Sequence, residues 1–382
     1  MSGTTPALPA IRSLRGSRVR IPFRRPFVTS TGMWLHRDAW LVRLETADGR
    51  IGVGEAVLEP AADEGIGEVA ATQLAALIRE AAREAAGGRL PGAEALERYG
   101  TPGRALRAAL DTALLDLASD RPAPLAAPGG PGLPVNATIG FAGPSAGAEA
   151  AHQAVAAGFS TLKLKAGAER ETDLLVERVR AVRAAVGPDV ALRLDVNGAW
   201  DLPTAAERLA AVARFGIELV EQPLPAHEIE LHAELRRRVD VPIALDESAA
   251  SVGAVRAILA AEAADHLVVK PARVGGPRAV AEIAARAEEH DVGIVLSTLF
   301  ETGVGIAAAL AAAAALPRPD ELAHGLATAG LLEHDLLLAG LLVEGGLMHA
   351  PGGPGTRGLG IALDDRALER FAVESAEAGA AS

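Results

Sequence analysis

Three short segments, RLDVN, LVEQP and ALDES, each end an apolar or β-prone run on a single carboxylate: Asp195, Glu221 and Asp246. The steps between them are 26 and 25 residues, and 24 residues further on HLVVKPARVGG ends the same kind of run on Lys270. A strand plus its return helix takes about this many residues, since a parallel pair needs a crossover of about a dozen or more. Each charge therefore stands at the C-terminal end of a successive parallel strand, where closed barrels of such units build their chemistry. Three acids converging there repel one another unless a cation sits between them.

The period continues in both directions. Backwards it reaches STLKLKAG, with Lys163 and Lys165, and LPVNATIG around Asn136; forwards it reaches GIVLSTLFETG at Ser297 and LAHGLAT at His324. Stretches 172–186, 204–214 and 277–290 are rich in Ala, Leu, Arg and Glu, with apolar residues at helical spacing. Apolar strands alternating with such helices specify a parallel sheet covered on its outer face. Eight units in one row, with no GxGxxG or GxxxxGK[ST] loop after the first strand, predict an α/β fold of TIM-like (β/α)7β barrel type, not an open nucleotide-binding sheet.

A chain of 382 residues exceeds one barrel of about 250, so a second domain is expected. Val19 to Val28, Ala39 to Thr46 and Ile51 to Ala56 read as strands, the last two joined by the hairpin signal Ala47-Asp48-Gly49, and helical patterns follow at 64–86 and 103–119. This block reads as an α+β capping domain over residues 1–125, with residues 1 to about 15 mobile. RPAPLAAPGGPGLP, residues 121–134, reads as a linker, and the barrel is expected over 130–340. The tail, 341–382, has too much Gly and Pro for a barrel helix and is expected to return to the cap.

A net charge of −12 and a pI near 5.3 argue against a nucleic-acid footprint or a surface for anionic membranes. The absence of cysteine excludes disulfides, thiolate metal sites and a cysteine nucleophile, and suits a cytoplasmic protein. The longest uncharged apolar stretch, Gly303 to Leu316, is 14 residues and too short to span a bilayer. The arginines before Asp38 resemble a transit peptide in composition, although Arg18 to Val28 also reads as an ordinary first strand.

As all-oxygen ligands, Asp195, Glu221 and Asp246 suit Mg²⁺ or Mn²⁺. One such acid alone reads as well as a helix N-cap or ion-pair partner; three at the same phase of consecutive strands point to a metal. Lys163 and Lys165 lie two apart on a strand and share a face. With Lys270 nearby they are expected to lower one another's pKa and supply a base near neutral pH. Lys270 alone also suits Schiff-base formation, which needs no metal. His324 reads as structural, and Trp34 and Trp40 as packing residues. Arg273 either reaches an anionic substrate or braces the sixth loop, with Ser297 and Thr298 as further substrate contacts. Together these groups describe removal of a proton α to a carboxylate, by a lysine, with a metal stabilising the enediolate.

The motifs KLK at 163–165, DVN at 195–197, VEQP at 220–223, DES at 246–248 and KPARVGG at 270–276 carry a resemblance. From about Val19 to the tail, the chain resembles the muconate-cycloisomerase-like branch of the enolase superfamily. Within that branch PVNATIG, STLFETGVGI and AHGLATAGLLEHDLL are similar to the o-succinylbenzoate synthase family, dehydratases of menaquinone biosynthesis. The resemblance implies Lys165 as base, Lys270 as opposing cation, Lys163 as supporting lysine and the three acids as ligands of Mg²⁺, acting on a small-molecule carboxylate. Where mandelate-racemase-like members place His and Asp, this chain has Ser297 and Lys270, and HGLAT lacks the Asp-x-Asp of dipeptide epimerases. KPARVGG is also similar to members that racemise N-acylated amino acids, and muconate cycloisomerases share the lysines and acids. Both activities therefore stay open beside dehydration. A catalytically silent barrel serving as a binding module has no need of the full set.

Overall fold

The computed structural model describes residues 10–29, 32–59, 64–118, 131–351 and 357–377. Strand β1 (Ile11–Thr29) runs antiparallel to β2 (Gly32–Thr46), which turns through Ala47-Asp48-Gly49 into β3 (Ile51–Ala56). Gly49 takes φ +84°, and Thr46 N donates to Arg50 O at 2.9 Å to close the hairpin. Residues 11–15, expected to be mobile, belong to β1 instead, because pairing with β2 satisfies their backbone. Residues 1–9, the other part of that mobile stretch, lie outside the described residues.

The Ala39–Leu44 part of β2 is apolar but for Arg43 because both of its faces are covered. Trp40, Val42 and Leu44 pack with Leu74 and Ile78 of helix Glu64–Ala86 and Leu106 and Ala109 of helix Gly100–Ala118. Ala39 and Leu41 join Val19, Ile21, Phe23 and Val53 in a second cluster with Leu299 and Leu332 of the barrel loops and Val304 of helix Gly303–Ala314. On the helix side the approach is backbone to backbone: a Cβ on Gly54 would lie 1.9 Å from Ala109 O, so a residue without one is required. The linker read at 121–134 falls outside the described residues up to 130.

After β4 (Leu133–Pro134) come seven parallel strands in one sheet, in chain order: β5 (Ala137–Ile139), β6 (Thr161–Lys165), β7 (Ala191–Asp195), β8 (Ile217–Glu221), β9 (Ile243–Leu245), β10 (His266–Val269) and β11 (Gly293–Leu296). Helices Thr172–Val186, Leu202–Val212 and Pro277–Glu289 stand where their spacing predicts. The eighth unit is reduced to two parallel bridges, Ser297 with Gly325 and Val135 with His324, which join β11 to the chain just before β5. His324 staples this closure. Its Nδ1 accepts from Leu296 N at 3.1 Å, and its Nε2 lies 3.0 Å from Pro319 O. Burial pulls the imidazole down to about 4, so it is neutral and structural, as its position in the sequence suggested.

The tail first pairs β12 (Val343–Glu344) and β13 (Leu347–Met348) with β4, then returns to the cap, where β14 (Ala372–Glu377) lies antiparallel to β1. Among the described residues, no helix is long and apolar enough to cross a membrane.

Cap and barrel are tied by a carboxylate. Glu55, on β3, accepts from Thr302 N at 3.0 Å, Thr302 Oγ1 at 2.7 Å and Gly305 N at 2.9 Å, which places an acid from the cap at the N-terminus of helix Gly303–Ala314. Glu301 is buried beside it and accepts from Leu299 N. Burial first, and then the charge of Glu55, push the Glu301 carboxyl up to about 7 from an ordinary 4.5. The folded state thus binds more protons than the unfolded chain between these values, and Glu301 costs stability as pH rises through 7. Glu301→Gln is expected to gain up to about 3 kcal/mol over the parent at pH 8 and nothing at pH 4. Denaturation at both pH values checks this, and an equal difference at the two rules it out.

Candidate active site

Register alone brings the charged groups together. Lys165 is level with Asp195 and Asp195 with Glu221, directly across β6, β7 and β8; one layer deeper, Lys163 is level with Arg193 and Arg193 with Leu219. Because side chains alternate along a strand, these six residues share one face. Asp246 and Lys270 each follow their strands, β9 and β10, by one residue. Asp195, Glu221 and Asp246 are almost wholly buried.

Every one of these acids is met by a cation. Lys163 Nζ lies 3.0 Å from both carboxylate oxygens of Glu221 and 3.0 Å from Asp195 Oδ2. Lys165 Nζ donates to Asp195 Oδ2 at 2.7 Å and Asn197 Oδ1 at 2.8 Å, and Lys270 Nζ to Asp246 Oδ2 at 2.6 Å. The expected mutual lowering of the lysine pKa values does not hold at Lys163. Burial lowers it, but the charges of Asp195, Glu221 and Asp246 outweigh both burial and neighbouring lysines and hold the ammonium above its ordinary value. Burial raises Asp246 as well, yet Lys270 and Arg273 override it and keep that carboxyl low. Glu221 is pushed up to about 7 by burial and by the charges of Asp195 and, beyond Lys163, Asp246.

Arg273 is committed to bracing. Its Nη1 holds Asp246 Oδ1 at 2.7 Å and Asp246 O at 3.0 Å, while Nη2 reaches Glu59 of the cap at 2.5 Å. Ser297 and Thr298 are buried against the closing unit: Ser297 Oγ is 3.4 Å from Gly325 O, and Thr298 Oγ1 is 2.9 Å from Thr328 Oγ1. Trp40 is buried in the cap, and Trp34 meets Phe300 edge to face at 6.1 Å.

Three residues escaped the reading of the sequence. Asn197 and Gln222 follow the strand carboxylates with φ of 50° and 42°, left-handed values that are uncommon outside glycine. Gln222 Oε1 accepts from Asp246 N at 3.0 Å and Ser248 N at 3.1 Å, fixing the turn that carries Asp246. Glu247 Oε1 accepts from Asn197 Nδ2 at 3.0 Å. All three lie inside the DVN, VEQP and DES motifs, where the metal acids drew the attention.

The converging metal triplet expected of the acids is not formed as such: among the described residues, no three acidic or imidazole side chains are close enough together to enclose an ion. The acids are engaged by ion pairs instead: Lys163 lies between Asp195 and Glu221, and Lys270 and Arg273 hold Asp246. The donor set nonetheless fits a divalent cation. Asp195 Oδ1 and Glu247 Oε2 are buried without a hydrogen-bond partner. These are hard oxygen donors, as Mg²⁺ and Mn²⁺ require, with Asp195, Glu221 and Asp246 as the residues to hold the ion.

Residues 146–367 match the family model described as enolase C-terminal domain-like, and residues 12–126 match the mandelate racemase / muconate lactonizing enzyme N-terminal domain. An o-succinylbenzoate synthase from Thermobifida fusca (strain YX) is 43% identical over 205 residues, covering 53% of this chain and 62% of that protein. The chain thus spans less than two thirds of that relative's length. The crystal structure of an N-succinyl Arg/Lys racemase from Bacillus cereus ATCC 14579 superposes with a TM-score of 0.80 at 25% identity, over 96% of this chain and 99% of that one. A dipeptide epimerase from Enterococcus faecalis V583, complexed with Mg and the dipeptide L-Leu-L-Tyr, superposes with a TM-score of 0.77 at 25% identity, over 92% and 99%. With a family model matching more than half of its length, and with this site at the strand ends, the chain belongs to the enolase superfamily, on its muconate-cycloisomerase-like branch.

Proposed function

We propose that the protein is a cytoplasmic, Mg²⁺-dependent o-succinylbenzoate synthase, which dehydrates 2-succinyl-6-hydroxy-2,4-cyclohexadiene-1-carboxylate to o-succinylbenzoate in menaquinone biosynthesis. The observation that carries this reading is the placement of two lysines. Lys165 ends the second strand of the row and Lys270 follows the sixth, so in a ring of eight they face each other across the acids. The similarity to o-succinylbenzoate synthase over 205 residues supports this reaction among those open to the superfamily.

A cation held by Asp195, Glu221 and Asp246 supplies Lewis-acid charge beside the substrate carboxylate. Lys165, as the free amine, takes the proton from the α-carbon, and the electron pair left behind spreads into the carboxylate as an enediolate. The Lys270 ammonium on the opposite face stabilises that charge. Collapse of the enediolate breaks the bond to the ring hydroxyl, and the Lys165 ammonium returns its proton so that water leaves. Aromatisation of the ring drives the step. Lys163, spanning Asp195 and Glu221, keeps the two acids apart in place.

A second reading, racemisation of N-succinylamino acids, is favoured by the opposed lysines and by the likeness to the N-succinyl Arg/Lys racemase. It requires proton transfer at both lysines.

Asp195→Asn, Glu221→Gln and Asp246→Asn are each expected to weaken Mg²⁺ binding and turnover by more than about a hundredfold while the fold persists. Titration calorimetry and circular dichroism test this. A parent protein that binds no Mg²⁺ returns the chain to the silent-barrel reading.

The lysines separate the two reactions. Lys270→Arg keeps a cation but cannot act as a base. It is expected to retain measurable dehydration and to lose exchange of the α-proton of an N-succinylamino acid with solvent deuterium, whereas Lys165→Arg loses both. A Lys165→Arg variant that dehydrates at near the parent rate, with Lys270→Arg dead, places the base on the other side of the barrel.

A further inference from the structure

A lysine amine on a four-carbon stem must present one lone pair to one carbon, and misplacement by about an ångström costs about a hundredfold in rate. Lys165 Nζ has two partners. One, Asp195, is shared with Lys163 and is a metal acid. The other, Asn197, accepts at 2.8 Å through Oδ1 and donates through Nδ2 to Glu247 Oε1 at 3.0 Å. An ammonium or amine N–H donates and a carboxylate accepts, so the amide between them satisfies both in one orientation and neither in the flipped one. Asn197 stands at φ 50°, in the left-handed region that Asn tolerates better than most residues. Glu247 follows Asp246 directly and comes from a different strand loop, so Lys165, Asn197 and Glu247 link β6, the loop after β7 and the loop after β9.

We propose that Asn197, its amide fixed by Glu247, is the positioning residue that aims the Lys165 amine at the substrate α-carbon. The role rests on Lys165 being the proton acceptor of the proposed reaction. Asn197 Oδ1 anchors one N–H of the amine, so the lone pair keeps its direction after the metal acids have turned to an ion. Glu247 acts one step further out, by denying the amide its flipped state.

Glu247→Gln removes the lock, because the new amide can donate or accept. Asn197→Gly removes the anchor without straining the left-handed backbone. Each is expected to lower kcat by about tenfold to a hundredfold. KM for the substrate in both variants, and Mg²⁺ affinity by calorimetry in Asn197→Gly, should stay within about twofold, since neither binding step uses the aim of the amine. The deuterium isotope effect for substrate labelled at the α-carbon should rise in both variants, which a loss of folded enzyme does not produce. The double variant Asn197→Asp/Glu247→Gln reverses the polarity of the pair at constant charge: the carboxylate at position 197 accepts both from Lys165 and from the side-chain amide at position 247. At the pH of its maximal rate it should recover about tenfold over Glu247→Gln alone. An active parent whose Lys165→Arg variant keeps turnover removes the base assignment and this inference with it. If Lys165→Arg is dead but Glu247→Gln and Asn197→Gly keep the parent kcat and isotope effect, the positioning role alone is wrong; a double variant no faster than Glu247→Gln is likewise against it.

Discussion

The structure turns on neutralising acids that the barrel has taken out of water. A buried carboxylate without a partner costs several kcal/mol, and here Asp195, Glu221 and Asp246 crowd one end of one ring. Lys163, Lys165, Lys270 and Arg273 offset that cost, and they divide the work unequally. Lys163 spans two acids, and their charges hold its ammonium above the ordinary lysine value. Lys165 and Lys270 each meet one acid, from opposite sides. Lys163 and Lys165 thus differ in the number of acids they answer, although they are two residues apart on one strand.

The same balance reaches into the cap. Arg273 leaves the barrel with one nitrogen on Asp246 and another on Glu59, so the position of Asp246 depends on a residue beyond the sheet that carries it. Glu55 does the corresponding work at the neighbouring loop, after β11, at the start of helix Gly303–Ala314. Between the two, the outer face of β1 and β2 shares an apolar cluster with Leu299 and Leu332. The cap therefore holds two separate loops of the barrel mouth, and a chain lacking it would leave Arg273 half-paired and that helix without its acid.

What was legible in the sequence is what has a local signature. Steps of 26, 25 and 24 residues between strand-end charges are a direct consequence of the length of a strand and its return helix, and they located β7 to β10 and the charged row together. The fold-back of the tail was readable from its Gly and Pro content. Long-range pairing has no such signature: Arg273 and Glu59 are 214 residues apart, and Ile11–Arg15 acquire strand structure only through β2 and β14. The sign of the Lys163 shift was missed for a related reason. Counting lysines gave their mutual repulsion, whereas the acids across β7 and β8 that reverse it appear only once register is known.

The charged row also explains why reaction class is easier to derive than reaction. Removing a proton α to a carboxylate uses the acids and one lysine, and everything in that set is anchored by strand register. Choosing what leaves, or whether the proton returns on the other face, depends on how the rest of the substrate lies. The residues first read as its contacts are occupied: Arg273 with Asp246 and Glu59, Ser297 and Thr298 with the closing unit. On the side of the cap, Phe23 and Trp34 meet Phe300 of the loop after β11 edge to face at 6.2 and 6.1 Å. Phe300 takes φ +63°, a conformation costly for an aromatic residue and upheld here by packing from both domains. The cap thus buttresses the seventh loop, while the charged row is held at the strand ends.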